Sequence, residues 1–582
     1  MAGGGTKGGG LAMMAGRAAK PPAVGADISA PSPFPSACFA MLGEVRVGED
    51  FAGCKSVLLH PNLHNPKDSV LFEGMRSSVP FRIPNSLPMN NRRAFIKQSA
   101  LAFTALSASR VFGANNTIRV ACIGLGGQGS GNAKRMASVP GVEIAYLCDP
   151  DTVALDRAKQ AYPNAKTTQD LRKVMEDKDI DVVVVSTGNH WHVLASIWAM
   201  QAGKDVYVEK PVSHNIWEGR KLVEAARKYN RIVQGGTQQR SDPLQDEIKA
   251  FFDAGSLGKM KYVRCNHYSM RATIGKRTEP LTPPTTVDYD LWLGPAKDEP
   301  ILRNKFHYDW HWNWNTGNGE MGNWGPHILD DLRNVVFRDK IPPPKRIIAG
   351  GGRFGWDDAG ETPNTHFAYM DTGDIPVIVD FHNLPRQKGM KAPDVYMRRR
   401  TGSFLIVECE GGYYTGNRGG GSVFDPSGKK IQTFKGDGGK THAANFIAAV
   451  RSRKASELKA EVEAIHYSSA WCHLGNISYR LGQKYSRDQA EAAVKDFQPW
   501  NDVIADFHEH LKKNELDDSK LDIRMGPMLE IDAQKETFIG ETATPEALAP
   551  PHPRISQRLR STHERLISVR PTSNASVKAT RQ

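Results

Sequence analysis

The chain is short of cysteine and of long apolar runs. Its 582 residues include 7 cysteines, scattered and without a CxxC pair, so neither a disulfide framework nor a zinc site is indicated. Cys122 and Cys148 fall within apolar segments and are expected to be buried thiols. No run of about 20 uninterrupted apolar residues occurs, which excludes a multi-span membrane protein. With 40% hydrophobic and 24% charged residues, the composition is that of a globular protein with a core.

Positive charge is in excess, but mainly at the two ends of the chain. The formal net charge is +13, of which residues 1–88 contribute +2, residues 89–114 +4 and residues 539–582 +4. The 424 residues between them carry +3. A nucleic-acid-binding domain carries its basic residues clustered on a folded surface. We therefore expect no nucleic-acid partner.

The N-terminal 114 residues contain two different segments. Residues 1–88 are rich in Gly, Pro and Ser without sustained periodicity, so we expect a disordered or misassigned leader. Residues 89–114 resemble a twin-arginine export signal, because two arginines, a Phe and a Lys precede an Ala/Ser-rich segment: Met89, Arg92, Arg93, Phe95 and Lys97. We expect translation from Met89 and export to the periplasm. An ordinary amphipathic helix and a cytoplasmic protein are the alternatives.

The C-terminal end of the chain lacks comparable signals. Residues 501–582 are interpreted as an extension, and after about residue 540 the sequence is Pro-rich, basic and aperiodic. This composition is typical of a disordered tail. No function is predicted for it.

A dinucleotide-binding pattern follows the N-terminal segments. The apolar segment Ile118–Ile123 is typical of a buried parallel strand and leads into Gly124-Leu-Gly126-Gly-Gln-Gly129. A helix can follow, and a second apolar strand ends in Asp149, twenty residues after the last of these glycines. This order of strand, glycines, helix, strand and acid predicts a Rossmann unit.

Each residue of this pattern has a physical role in binding a dinucleotide. Gly124 permits the tight turn, Gly126 lets backbone N–H groups approach the pyrophosphate, and Gly129 lets the helix lie close to the sheet. The helix N-terminus faces the phosphates with its partial positive charge. Asp149 would accept hydrogen bonds from the ribose hydroxyls and repel a 2′-phosphate, which favours NAD over NADP.

Strands and helices continue to alternate after this unit. Apolar strands are predicted at residues 181–186, 205–208 and 231–234, with helices at residues 192–202 and 214–229. The expected fold class is α/β, with a doubly wound parallel sheet over residues 115–240. Further strands at residues 345–349, 364–370, 376–381 and 403–409, with helices at residues 441–452 and 461–481, indicate a second α/β domain over residues 241–500.

Two loops resemble the Gfo/Idh/MocA oxidoreductases. They are Thr187-Gly-Asn189-His190-Trp191-His192 and the strand-end Glu209-Lys210-Pro211. The resemblance covers about residues 117–485, and it implies a C-terminal domain with an open, mostly antiparallel sheet that faces the nicotinamide. In that family the motif lysine reaches the reacting hydroxyl and the glutamate backs the cofactor. The resemblance therefore implies these cofactor contacts: Thr187, Asn189, His192, Glu209 and Lys210.

A later Gly-rich segment supplies the other implied catalytic residues. The family pattern is D-x-G-x-H-x-x-D, and here Gly325, His327 and Asp330 match it while Asn323 replaces the first aspartate. The resemblance implies that His327 is an acid/base beside the reacting carbon. Asn323 can hold a hydroxyl by hydrogen bonds but cannot take a proton, so proton transfer is expected at His327 and Lys210. Asp330 is either a structural cap or an orienting group.

An aromatic, polar stretch lies between these motifs. Its tryptophans could stack on the C–H faces of sugars, although core packing is the alternative for any single ring. The expected substrate contacts are Trp310, Trp312, Trp324 and Asp330, together with Arg240 after the sixth strand. His307-x-Asp309-x-His311 contains good metal ligands, but no further ligand cluster is evident and no metal is predicted.

These residues together predict an exported NAD-dependent oxidoreductase that acts on a hydroxyl of a sugar, sugar acid or cyclitol. One alternative is an NAD-dependent glycoside hydrolase that uses transient oxidation and elimination. Another is a non-catalytic sugar-binding module on the same fold, which Asn323 favours and the intact Lys210 and His327 oppose. The expected partners are a carbohydrate and further copies of the chain in a homodimer or homotetramer, with no stable membrane insertion.

Overall fold

The computed structural model describes residues 117–341, 343–390 and 404–540. All of them belong to one compact unit of the chain. The expected leader, export signal and tail lie outside the described residues. No helix within the described part combines the length and apolarity needed to span a membrane.

The first domain is built on a six-stranded parallel sheet, in the order β3-β2-β1-β4-β5-β6. Its strands are short and almost fully buried because helices cover both faces: β1 (Ile118–Ile123), β2 (Val142–Cys148), β3 (Lys166–Thr168), β4 (Val182–Val185), β5 (Asp205–Val208) and β6 (Val233–Gly235). The connecting helices are α1 (Gly127–Ala137), α2 (Thr152–Ala161), α3 (Leu171–Glu176), α4 (His192–Gln201) and α5 (Ile216–Lys228). The predicted doubly wound Rossmann fold is confirmed.

The second domain is built on a twelve-stranded mixed sheet. Its main path runs β14-β13-β12-β11-β7-β10-β9-β8-β16-β15, and β17 pairs with β8 and β18. The strands are β7 (Met260–Tyr268), β8 (Arg346–Gly352), β9 (Thr365–Asp371), β10 (Val377–His382), β11 (Leu405–Cys409), β12 (Gly412–Asn417), β13 (Gly420–Phe424), β14 (Lys430–Lys435), β15 (Gln483–Lys484), β16 (Arg524–Met525), β17 (Leu529–Asp532) and β18 (Thr537–Ile539). Only the described pair β7–β10 is parallel, so the predicted mostly antiparallel sheet is confirmed.

Helices pack on both faces of the second sheet. The helices after the first domain are α6 (Leu244–Asp253), α7 (Tyr289–Leu293), α8 (Gly319–Asn323), α9 (Gly325–Val335), α10 (His442–Ser452), α11 (Val462–Arg480), α12 (Arg487–Ala492) and α13 (Gln498–Lys513). Of these, α10 packs on the first sheet, where Phe446 and Ile447 share a core with Val120. On one face, Ile328 and Trp471 from α9 and α11 pack against Val379 of β10 in the largest hydrophobic core. On the other, Trp500 and Phe507 of α13 pack against Phe367 of β9.

The second domain extends beyond the predicted boundary at residue 500. The helix α13 spans that position, and β16, β17 and β18 add strands to the sheet as far as Ile539. The buried face of α13 explains the difference, since Val503, Ile504 and Phe507 complete a core whose other half comes from the sheet. The residues interpreted as an extension are therefore part of the fold up to Ile539.

Candidate active site

A cleft of about 750 Å³ lies at the carboxyl ends of the first sheet's strands, where ligands bind in open α/β sheets. Its walls come from both domains. The first domain contributes the loops after β1, β2, β4 and β5, and the second contributes the segment around α8, the aromatic stretch and the turn between β12 and β13.

The glycine loop has the shape that a pyrophosphate requires. Gly124 has φ +84°, and a Cβ there would lie 2.5 Å from the Ser186 carbonyl oxygen; a Cβ on Gly129 would lie 1.9 Å from that of Gly124. At Gly126 an added Cβ would meet no protein atom within 4 Å, so the backbone there is open to the cleft. The first turn of α1 carries no acidic residue, which leaves its N–H groups available to an anion. These residues fit NAD.

Asp149 is hydrogen-bonded to the glycine loop. Its carboxylate accepts hydrogen bonds from the backbone N–H of Leu125 (2.6 Å) and of Asp151 (2.9 Å). Burial raises the pKa of Asp149, and these two hydrogen bonds oppose the rise. The side chain lines the cleft at the end of β2, as expected for the residue that contacts the ribose.

The second domain reaches over this end of the cleft through residues 284–316, here called the arm. The arm forms a β-bridge between Val287 and Asp151, and the Thr152 N–H donates to the Thr286 carbonyl at 3.0 Å. His307 Nε2 lies 2.9 Å from the other side of Asp151, at Oδ2. Further along, Trp191 Nε1 donates to the Trp292 carbonyl at 3.0 Å. The ribose end of the cleft is therefore covered by the arm.

The three family-implied residues after β4 line the cleft and hold its loops. His192 is buried and its ring nitrogens lie 2.7 Å from the Pro211 carbonyl and 3.1 Å from that of Thr187. Asn189 Nδ2 donates to Asn318 Oδ1 at 2.9 Å, across to the second domain. The side chains of Thr187, Asn189 and His192 all line the cleft.

Glu209 is a buried carboxylate whose charge is stabilised by three side-chain amides. Its Oε1 accepts hydrogen bonds from Gln128 (2.9 Å), Asn132 (3.0 Å) and Gln238 (3.2 Å). The backbone N–H of Lys210 donates to Oε2 at 3.2 Å. Such a network fixes the carboxylate behind the cleft.

Lys210 meets Asn323 across the two domains. Its Nζ donates to the Asn323 carbonyl and to Oδ1, both at 3.0 Å. Burial lowers the pKa of Lys210, although the negative charges of Glu209 and Glu320 raise it. A lysine with a lowered pKa can exchange a proton near neutral pH. The asparagine thus orients the ammonium where the family pattern has an aspartate.

His327 lies beside this pair and is neutral. Burial lowers its pKa well below 6.5, and the charges of Arg418 and Lys210 lower it further. Its Nδ1 is buried without a hydrogen-bond partner. The four-residue spacing of Asn323 and His327 would suit one face of a single helix, but the helix is interrupted at Trp324, which ends α8 and precedes α9. Both side chains nevertheless line the cleft.

Three predicted substrate contacts lie outside the cleft, and their roles are corrected. Arg240 Nε donates to Asp330 Oδ2 at 2.7 Å, and both side chains are almost inaccessible to solvent. Asp339 accepts the remaining guanidinium hydrogen bonds of Arg240 at 2.7 and 2.8 Å. Trp312 is buried against the Arg271 guanidinium. These polar groups are satisfied within the protein, so they have structural roles.

The aromatic residues that do line the cleft are concentrated near its mouth. Trp310 stacks on His311 with 3.7 Å between ring centroids, and Trp324 stacks on His267 at 4.7 Å. Tyr308 is more than half exposed and accepts a hydrogen bond from Arg271. Among the described residues, no three His, Cys, Asp or Glu side chains form a metal-binding group. His307 is instead paired with Asp151.

Four charged or polar residues of the site had no sequence signal. Arg271 Nη2 donates to Glu320 Oε1 at 2.9 Å, and His267 Nε2 lies 2.8 Å from the same oxygen. Burial raises the pKa of Glu320, but the hydrogen bond from His267 and the charge of Arg271 lower it to about 2. Arg418 also lines the cleft. His267 and Arg271 lie in and just after the end of β7, Glu320 lies in α8, and Arg418 lies between β12 and β13.

Comparison with known proteins agrees with this geometry. Residues 118–237 match the oxidoreductase family model for the NAD-binding Rossmann fold, and residues 252–388 match that family's C-terminal α/β domain. Both matched ranges therefore resemble the two domains of the Gfo/Idh/MocA oxidoreductase family. The first domain of the chain is accordingly an NAD-binding Rossmann domain, and NAD is the cofactor.

Curated proteins that this chain resembles include dehydrogenases and a hydrolase. Inositol 2-dehydrogenase of Salmonella typhimurium is 31% identical over 159 residues, which is 26% of this chain and 46% of the relative. The scyllo-inositol 2-dehydrogenase (NAD(+)) of Bacillus subtilis is 32% identical over 148 residues, 25% of this chain and 43% of the relative. A glycosyl hydrolase family 109 protein of Shewanella pealeana is 31% identical over 159 residues, 25% and 34% respectively. The chain thus spans less than half the length of these relatives.

Proposed function

We propose that the protein is an NAD-dependent oxidoreductase that oxidises a hydroxyl of a sugar or cyclitol. The observation that carries the proposal is the convergence of Lys210, Asn323 and His327 at one end of a cleft whose other end fits a dinucleotide. The inositol dehydrogenases among the relatives support the substrate class.

The residues of this chain supply proton transfer and orientation. Bound NAD supplies the hydride acceptor. Lys210 in its neutral form takes the hydroxyl proton at Nζ, and its hydrogen bonds to Asn323 aim that nitrogen into the cleft. The neutral His327 ring provides a second hydrogen-bonding group for the same hydroxyl. The aromatic wall near the mouth excludes water and offers faces for the C–H groups of a sugar.

The glycoside hydrolase is the second candidate function. The family 109 relative favours it, and transient oxidation followed by elimination would use the same Lys210 and NAD. Because that cycle returns the hydride to the sugar, it produces no net NADH. The third alternative, a non-catalytic binding module, would retain the cleft but not need a lysine with a lowered pKa.

The experiment uses full-length protein loaded with NAD and a panel of sugars and cyclitols. We expect net NADH formation by the wild type and a loss of roughly 100-fold or more in kcat for Lys210→Met, since general acid–base catalysis contributes about 10²–10⁴-fold. Lys221→Met is the matched control, because that half-buried lysine pairs with Glu224 on α5 and does not line the cleft. Full turnover by Lys210→Met would refute the proposal, and glycoside cleavage without NADH would support the hydrolase.

Export and self-association stay predictions. The twin-arginine-like motif supports transport of a folded, NAD-loaded enzyme, which would require that NAD be retained during export. Size measurements by light scattering would test the expected homodimer or homotetramer, and N-terminal sequencing of the mature native protein would test export.

A further inference from the structure

Three cationic side chains meet at the substrate end of the cleft. Lys210 follows β5, Arg271 follows β7, and Arg418 lies in the turn between β12 and β13. They are brought together from distant parts of the sequence. A concave site lined by charges of one sign attracts ligands of the opposite sign.

The nearby carboxylates do not neutralise all three cations. Glu320 is the partner of Arg271 and also contacts His267. Glu209 accepts hydrogen bonds from amides behind the cleft. Among the described residues, Lys210 Nζ forms its hydrogen bonds with the two oxygens of Asn323. With Lys210 protonated, these three cations and the two carboxylates Glu209 and Glu320 leave one positive charge at this end.

Arg418 carries that charge. Its Nη2 donates to the neutral amide oxygen of Gln238 at 2.8 Å, and within the described part of the chain no carboxylate forms an ion pair with it. Gly419, with φ +71°, completes the tight turn that presents Arg418 at the cleft. Arg418 is exposed, so its guanidinium is accessible to a ligand while it keeps the hydrogen bond to the buried Gln238.

The charge of Arg418 acts on both reacting groups. After burial it is the largest cause of the lowered pKa of His327, and it also lowers the pKa of Lys210. An anionic group bound at Arg418 would offset this positive potential. The ligand would then be held within electrostatic range of the nitrogen atoms that handle the proton.

We propose that the substrate is a sugar acid whose carboxylate binds Arg418, with Arg271 at the adjacent wall. This inference rests on the proposed function. A guanidinium forms two parallel hydrogen bonds to a carboxylate, which fixes the orientation of the sugar as well as its charge. A phosphate ester carries about −1.5 to −2 at neutral pH and exceeds the one unpaired charge, so a monoanionic carboxylate matches better.

The test compares matched substrates on NAD-loaded enzyme. Glucose, glucuronate and glucose 6-phosphate, and the corresponding galactose series, are assayed for NADH formation with the wild type, Arg418→Met and Arg418→Lys. Arg487→Met is the control, because that exposed arginine pairs with Glu491 on α12. We expect the wild type to prefer an acid, and Arg418→Met to raise its KM roughly 10- to 100-fold, as loss of a charge-assisted pair predicts. The lysine variant should recover part of the loss, and KM for a neutral sugar should rise much less than KM for the acid.

The possible failures are distinguishable. Equal or better turnover of neutral sugars or phosphate esters by the wild type would overturn the sugar-acid inference while leaving the proposed function intact. NADH formation with no member of any class, including inositols, would overturn both. A weaker affinity for NAD in Arg418→Met with unchanged KM for the acid would assign Arg418 to the cofactor and also overturn the inference. Thermal unfolding of each variant checks that it is folded.

Discussion

At the scale of single residues, the two nitrogen bases of the cleft are both held towards their neutral forms. Burial is the main cause for Lys210 and for His327, and the arginines nearby add to it. The negative charges of Glu209 and Glu320 oppose this effect at Lys210. The titration of Lys210 can therefore be followed in the pH dependence of the reaction. Only the neutral form can accept a proton from the substrate.

The pH dependence of sugar oxidation follows from these directions. We expect kcat/KM to rise with pH as Lys210 loses its proton, with a midpoint below its ordinary value of 10.5. Since His327 is already neutral at pH 6.5, its titration should not appear above that pH. Steady-state kinetics across this range, repeated with Lys210→Met, would check the assignment. A profile flat from pH 6.5 to 10.5 would contradict it.

The buried Asp330 gives a second prediction at this scale. Replacing Asp330 with Asn removes the charge partner of Arg240 and weakens the hydrogen bond from Ser468 Oγ, which is 2.7 Å long. Breaking a buried ion pair costs about 3–5 kcal/mol, an upper value here because Asp339 also binds Arg240. Urea unfolding should show the lower stability, with KM for substrate unchanged in the folded fraction. A large rise in KM at unchanged stability would restore the substrate role expected from sequence.

Sequence reasoning found the residues that lie in short, ordered motifs. The glycine loop and Glu209-Lys210 follow strands of one parallel sheet, so their convergence follows from topology. Arg271, Glu320 and Arg418 could not be found in this way, because no local pattern marks them and the second sheet brings them together. Arg240 was assigned to the substrate because it follows β6 in the sequence. Its actual partners, Asp330 and Asp339, are 90 and 99 residues away and could not be identified from that position.

At the scale of elements, the arm ties the second domain to the ribose end of the cleft. Its backbone contacts at Val287 and its side-chain contact at His307 meet both sides of Asp151. Loops that cover a ligand slow its release. The arm therefore offers a structural basis for the retention of NAD that export of a loaded enzyme would require.

Replacing His307 with Ala should speed NAD release. The pair with Asp151 is half exposed on the histidine side, and such pairs are worth about 0–1 kcal/mol. We therefore expect up to roughly a fivefold faster dissociation of NAD with unchanged thermal stability. Displacement of bound NADH followed by its fluorescence measures this rate. His508→Ala is the control, because His508 pairs with Asp518 on the far side of the second domain; an equal effect of both variants would argue against the arm.

The interruption of the helix at Trp324 shows the limit of a prediction from the spacing of two residues in the sequence. A four-residue separation places Asn323 and His327 on one face of a continuous helix. The structure uses two helices instead, and Trp324 at their junction stacks on His267. The functional result is the same, since both residues line the cleft. Pro326 in the first turn of α9 has no N–H to continue α8, which fits the break at this position.

At the scale of the whole molecule, the second sheet has helices packed on both of its faces. The face towards the first domain is packed by α9 and α11, while α13 packs on the opposite face. The predicted domain boundary at residue 500 cut through α13 because the sequence after it is charged and lacks a recognisable motif. The apolar positions of α13 belong to a core that forms only with the folded sheet.

Trp500 tests whether α13 is part of the folding unit. The side chain is fully buried and its Nε1 donates to the Ala490 carbonyl at 2.7 Å. Trp500→Ala should lower the free energy of unfolding by about 3–5 kcal/mol. Activity below the unfolding temperature should be retained because α13 does not line the cleft. A stability change below about 1 kcal/mol would mean that this helix is peripheral.

The most direct test of the account is the time course of nicotinamide reduction in the full-length protein. NAD-loaded wild-type protein and Lys210→Met are mixed with sugars, sugar acids and inositols, and NADH absorbance and free sugar are followed together. The account predicts net NADH with an oxidised sugar product in the wild type, and at most about one hundredth of that rate in Lys210→Met. Equal rates in both proteins, or no reduction with any substrate class, would contradict it.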